Sequence, residues 1–167
     1  LSVAHSKNIR VIMDLIMNHT SDRHPWFIES KSSEDNPKRN WYIWQKGLKN
    51  KKPNNWKSSF GSSAWQFDEN TQSYYLHSFF KEQPDLNWRN KDMAKAFFEE
   101  IKFWLNLGVD GFRLDVINMI AKDKKFRNNP FMINFPFGQN QKYSRNRPKS
   151  YKIVEKQGDV FLPVAQR

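Results

Sequence analysis

The chain has 167 residues, no cysteine and a net charge of +11 from 28 basic and 17 acidic side chains. No apolar run approaches the ~20 residues that a membrane-spanning helix requires, and the absence of cysteine removes disulfides and thiolate metal sites, which suits a reducing, cytoplasmic setting. The basic residues gather at Lys46 to Lys57 and Lys122 to Lys156, with Trp56, Tyr143 and Tyr151 interleaved, yet no RNA-recognition signature, zinc-finger spacing or helix-turn-helix pattern accompanies them. They are read as solvated Lys-rich loops, with no nucleic-acid or membrane partner.

Residues 1–8 read as the last turns of a helix. The β-branched apolar run Ile9 to Leu15 then predicts a buried parallel strand. Asp14, Asn18 and His19 cluster at its C-terminal end, where parallel α/β proteins build active sites from strand-to-helix loops. From Thr20 to Trp88 the chain turns to Trp, Pro, Asn, Ser and Lys. This is far longer than the usual connection of about 2–6 residues, so the segment predicts an inserted subdomain. Within it, Ala64 to Asp68 and Ser73 to Phe79 predict two short strands joined through Glu69 to Gln72.

Asn90 is a candidate N-cap, and Ala94, Phe97, Phe98, Ile101, Trp104 and Leu105 recur at helical spacing before a Gly stop at Gly108. Val109 to Val116 predicts a second strand, so strand, insertion, helix and strand form an interrupted βαβ unit with a right-handed crossover. After Asn118 the chain becomes polar and basic. Asn128-Asn-Pro130 and Asn146-Arg-Pro148 mark turns, Ser150 to Lys156 is the start of a further helix, and Pro163 interrupts the last apolar run.

Arg113 and Asp115 stand two apart on the second predicted strand and therefore point to one face. A carboxylate that must stay ionised inside a protein needs such a fixed positive charge beside it. Taken alone, the pair reads more readily as a surface Arg–Asp contact flanking a strand. Three strings together say more: Asp14-Leu-Ile-Met-Asn18-His19, Gln83-Pro-Asp-Leu-Asn87 and Gly111-Phe-Arg113-Leu-Asp115-Val-Ile-Asn118. They resemble the α-amylase superfamily of retaining glycoside hydrolases, nearest to its oligo-1,6-glucosidase and α-glucosidase branch.

The resemblance implies an α/β fold, a partial (β/α)8 TIM barrel (about strands 3 and 4) with an inserted domain B. Residues 1–19 would be catalytic barrel, 20–88 domain B, and 89–167 barrel continued. Such barrels need about 250 residues, so the chain is expected to be part of a longer protein and inactive by itself. By resemblance Asp115 is the covalent nucleophile and Arg113 its support, while His19 hydrogen-bonds sugar hydroxyls and Asp14 orders the site's core. Asn18 orients the loop into the insertion, and Phe60, Phe79 and Gln83 contribute to the pocket for the nonreducing sugar of a gluco-oligosaccharide. Packing inside domain B is the alternative reading of both Phe residues.

Val116 resembles the branch that attacks α-1,6 linkages, with α-1,4 cleavage a further expectation. Trehalose-6-phosphate hydrolases share much of the same string. A noncatalytic relative such as a transporter heavy-subunit ectodomain is the rival of another class, although such relatives often lose the nucleophile or its Arg. The general acid, a Glu, would lie after the next strand. Glu155 is the tempting nearby carboxylate but reads as a solvated helix residue. No cofactor and no metal site are expected, since no Asp-rich metal loop appears.

Overall fold

A computed structural model describes residues 1–47, 51–130 and 144. The expected helix at 150–156, with Glu155, the turn at 146–148 and the final segment lie outside the described residues.

Helix α1, Ser2–Ser6, is followed by Lys7 at its C-cap and then by Asn8, whose φ of 56° takes the left-handed conformation that Asn tolerates. Strand β1, Ile12–Ile16, runs parallel to the last strand, β5, Gly111–Asp115, with Asp14 opposite Arg113 and Ile16 opposite Asp115. Between them come α2, Pro25–Ser32, a 3-10 turn at Arg39–Trp41, strands β2, Trp44–Gln45, β3, Trp65–Asp68, and β4, Ser73–Leu76, and helix α3, Lys91–Asn106. The three middle strands form an antiparallel sheet in the order β2-β4-β3. The β3–β4 hairpin turns through 69–72 as expected, with Gln72 at a φ of 48°.

Helix α3 starts where its sequence says it should. The Asn90 side chain accepts the Met93 amide at 2.9 Å, satisfying one of the donors that a helix N-terminus leaves unpaired. It ends at Gly108, whose φ of +99° is costly for any residue with a Cβ. Met93, Phe97, Phe98 and Ile101 form its buried face, against Trp88 and the partly buried Leu15, Phe112 and Leu114 of the parallel pair. Trp104, expected on this face, is 39% exposed.

The parallel strands depart from expectation in two ways. Both begin later in the sequence than predicted, because Asp110 accepts the Val11 amide through its carboxylate and donates its own amide to the Val11 carbonyl. They are also covered on one face only: Leu15, Phe112 and Leu114 pack toward α3, whereas Ile12 and Ile16 remain 62% and 46% exposed beside Asp14, Arg113 and Asp115. Among the described residues nothing covers the second face of this run.

Two cores result. The larger joins α3, Trp88, Leu86 and Met17 to Phe27, Tyr42 and Tyr75; the smaller gathers Ile43, Trp56, Ala64, Trp65 and Leu76. Trp56 is 1% exposed and its indole donates to the Arg127 carbonyl at 2.8 Å, so it is packing and presents no face on which a base could stack.

Candidate active site

The parallel register places three ionisable side chains on the open face of the strand pair. The Arg113 guanidinium meets both oxygens of Asp14 at 3.1 Å and one oxygen of Asp115 at 3.3 Å. One cation thus bridges two carboxylates from adjacent strands. Its pKa is raised above the ordinary arginine value, first by the hydrogen bond to Asp14, then by the charges of Asp14 and Asp115. The i, i+2 reasoning correctly placed Arg113 beside Asp115, but the closer partner of the guanidinium is Asp14 across the ladder.

Directly after Asp115, Val116 has φ 43° and ψ 34°, and a 3-10 turn follows over Ile117–Met119. A left-handed conformation is unusual for a β-branched residue and turns the chain sharply at the strand's end.

The loop after β1 carries His19, which is 9% exposed. Burial is the largest cause of its lowered pKa, with the Lys122 charge acting in the same direction and those of Asp85 and Asp115 opposing it. Folding therefore favours the neutral form of the ring. Nε2 lies 3.0 Å from Nε2 of Gln83, and Nδ1 lies 3.3 Å from Nδ2 of Asn18. Phe79 tilts against the ring at a centroid distance of 5.2 Å. An open cleft of about 490 Å³ is lined by Ile16, His19, Thr20, Phe80 and Gln83, among others.

Phe60 is 59% exposed, which fits poorly with a role in the insertion's core. It stacks on Phe80 at 4.2 Å and meets Phe79 edge-on at 6.4 Å. Phe60, Phe79 and Phe80 together line a second cleft of about 580 Å³ beside the first. His19 and Gln83 line the first cleft and Phe60 and Phe79 the second, the two meeting at Phe80 and Glu82, while of the bridge residues only Asp115 ends its strand and Asp14, expected at the end of β1, lies in its middle.

Behind this surface lies a network that the residue pattern did not announce. Asn18 donates to Asp85 at 2.9 Å, and Lys122 donates to Asn18 at 2.8 Å and pairs with Asp85 at 2.9 Å. Ser78 adds its amide at 2.9 Å and its hydroxyl at 2.5 Å to Asp85, and Lys122 also donates to the Met119 carbonyl. The Lys122 and Asp85 side chains are 1% and 0% exposed. Lys122 was expected to open a solvated basic stretch. It is instead a buried cation, and its setting in Met119-Ile-Ala-Lys122, after an apolar run, was the available signal. The backbone repeats the junction, with Leu86 donating to Asn18 and Thr20 to Pro84, while the Trp88 indole caps the Met17 carbonyl at 2.7 Å. Among the described residues no group of three or more His, Cys, Asp or Glu side chains is placed to hold a metal ion.

A parallel strand pair crossed by a helix, with Asp115 at a C-terminal strand end, His19 in the loop after the other strand and an insertion between them in the chain, is the arrangement of α/β enzymes that work at the mouth of a barrel. The chain belongs to the alpha-amylase family: residues 1–163 match the family described as "Alpha amylase, catalytic domain". It is 47% identical over 162 residues to the oligo-1,6-glucosidase of Parageobacillus thermoglucosidasius, covering 97% of this chain and 29% of that one. It is 55% identical over 120 residues to the oligo-1,6-glucosidase of Bacillus cereus, covering 72% of this chain and 22% of that one. Among solved structures it resembles the alpha-glucosyl transfer enzyme XgtA, at 36% identity and a TM-score of 0.89 over 96% of this chain and 32% of that one. It also resembles the trehalose-6-phosphate hydrolase of Bacillus licheniformis, at 39% identity and a TM-score of 0.87 over 98% of this chain and 28% of that one. The chain therefore spans less than a third of the length of these relatives. Among the described residues no helix is long and apolar enough to cross a membrane.

Proposed function

We propose that this chain forms part of an α-glucosidase that hydrolyses α-1,6, and also α-1,4, glucosidic bonds of oligosaccharides with retention. In this reading β1 and β5 are the third and fourth strands of a (β/α)8 barrel, and 20–88 is its domain B. The observation that carries it is the Arg113 bridge between Asp14 and Asp115, in the same fold as a nearly buried histidine and an exposed aromatic surface.

Asp115 is the nucleophile. A retaining glycosidase passes through an oxocarbenium-like transition state into a covalent glycosyl–enzyme intermediate, and a second carboxyl about 5 Å away acts first as acid and then as base. Arg113, pinned on its far side by Asp14, keeps a positive charge beside the attacking oxygen and orients it. His19 is uncharged and donates to a sugar hydroxyl. Gln83 adds an amide to the same sugar, while Phe60 and Phe79 pack on the apolar face of the pyranose. The second carboxyl would come from beyond the described residues.

Trehalose-6-phosphate hydrolysis is the second reading, favoured by the likeness to the Bacillus licheniformis hydrolase. A noncatalytic binding role is disfavoured by the presence of both Asp115 and Arg113. In the whole protein, incubation with a fluoroglycoside that traps the covalent intermediate is expected to add one glycosyl mass on the peptide containing Asp115, and Asp115→Asn is expected to abolish both trapping and isomaltose turnover. Trapping that persists in Asp115→Asn removes the nucleophile assignment. Turnover of phosphorylated trehalose with isomaltose ignored favours the second reading.

A further inference from the structure

His19 stands between two amide groups, and both present nitrogen to it: Asn18 Nδ2 at Nδ1 and Gln83 Nε2 at Nε2. A neutral imidazole has one acceptor nitrogen, so it accepts from only one of them. Which amide yields follows from what holds each in place.

The Asn18 amide cannot turn. Its oxygen accepts from the Lys122 ammonium, which has no lone pair to offer, and its nitrogen donates to the Asp85 carboxylate, which has no proton to give. A flipped Asn18 would set its NH2 against the ammonium and its oxygen against the carboxylate, in a site where Asn18, Asp85 and Lys122 are all 0–1% exposed. Gln83 is less constrained. Its oxygen accepts only the Phe80 amide, at 3.2 Å and in an exposed setting where water can take over.

We propose that the buried Lys122–Asp85 pair is a positioning device for His19: by locking the Asn18 amide it makes Nδ1 the acceptor, so that the ring carries its proton on Nε2, the nitrogen on the cleft side, ready to donate to substrate. Gln83 is the adjustable partner. It turns its oxygen toward Nε2 in the free protein and releases that nitrogen when a sugar hydroxyl arrives. The consequence for substrate rests on the reading of His19 as a sugar donor, but the tautomer itself does not. The same pair draws on the loops after both strands and on the end of the insertion, since Asn18, Lys122 and Asp85 belong to those three segments.

The test uses the whole protein with 15N-labelled histidine, the His19 ring signals being identified by their loss in His19→Gln. The ring nitrogens report directly which one carries the proton. The wild type is expected to show Nδ1 unprotonated and Nε2 protonated. Lys122→Met alone leaves a buried carboxylate without its cation and can unfold the protein, so the decisive variant is the double substitution Lys122→Met with Asp85→Asn, which removes both charges at nearly constant volume. There Asn18 is free to turn, and His19 is expected to show both tautomers. The kcat/KM for isomaltose should fall in proportion to the fraction of rings that keep the proton on Nε2, about twofold when the two tautomers are equally populated, and mostly through KM. A wild-type ring protonated on Nδ1, or a double variant in which Nε2 alone stays protonated, overturns the proposal. If the tautomers change as stated while Asp115→Asn still traps the fluoroglycoside, the nucleophile assignment fails and the positioning network stands.

Discussion

Lys122 separates a buried network from a solvated loop most sharply, because the two readings differ by several kilocalories per mole. An exposed lysine replaced by methionine changes stability by about 0.5 kcal/mol or less. Here the ammonium is 1% exposed and lies 2.9 Å from a carboxylate that is 0% exposed. Lys122→Met would leave that charge in the interior, a loss on the order of 3–5 kcal/mol for a broken buried pair. Three donors remain on Asp85, from the Ser78 amide, the Ser78 hydroxyl and Asn18, which puts the expected cost near the lower end, about 3 kcal/mol. The double variant with Asp85→Asn carries no stranded charge and should be less destabilised than Lys122→Met alone, although it bears two changes. Equilibrium urea unfolding of the whole protein, wild type against the single and double variants, measures both quantities. A single-variant loss under about 0.5 kcal/mol, or a double variant worse than the single, would refute the reasoning.

The remaining expectations follow from individual side chains. The pKa of His19 is lowered on folding, so the unfolded chain binds the extra proton more readily; stability contributed by the neutral ring is present above the unfolded value of 6.5 and is lost as pH falls below it. The urea midpoint should therefore drop on acidification through that range, and His19→Gln should lessen the drop; His24, lowered in the same direction, accounts for part of what remains. Asn90→Ala removes the cap on Met93 and should cost about 1 kcal/mol in the same unfolding assay, with Asn90→Asp nearly neutral. Val116→Thr puts a hydroxyl directly after Asp115 and should raise the maltose-to-isomaltose ratio of kcat/KM; an unchanged ratio would separate Val116 from linkage preference.

The elements with local signatures were legible in the residues. The Asn90 cap, the Phe97, Phe98 and Ile101 stripe and the Gly108 stop each act within one turn of chain, and the helix follows them. The β3–β4 hairpin was equally local. Helix α2 was missed within the insertion, although Pro25 at its first turn and His24 at its cap are a helix start: the following residues show no clear apolar stripe, and only Phe27 and Ser30 are buried. Strand β2, at two residues, is too short for a period. At the site, spacing along one strand could place Arg113 with Asp115, but its contact with Asp14 depends on the register of two strands about a hundred residues apart. Lys122 was misread for a similar reason. Charge density along the chain marks basic runs, whereas burial of a particular lysine depends on a carboxylate supplied by a different segment.

That dependence also decides which contacts hold the site's residues most firmly. Asp14 and Arg113 come from β1 and β5, and their bridge is as exact as the parallel register, yet both side chains are more than 60% exposed, so the bridge itself adds little stability. The firm hold lies one layer back. The backbone hydrogen bonds from the Leu86 amide to the Asn18 carbonyl and from the Thr20 amide to the Pro84 carbonyl fasten the insertion's return to the loop after β1, and the Asn18–Asp85–Lys122 cluster fastens that junction to the segment after β5. A shift of the insertion relative to the strands must break a fully buried ion pair, whereas a shift of Arg113 breaks only contacts that water can replace. The buried charges thus keep His19 and the aromatic surface at a fixed distance from the Asp14–Arg113–Asp115 bridge.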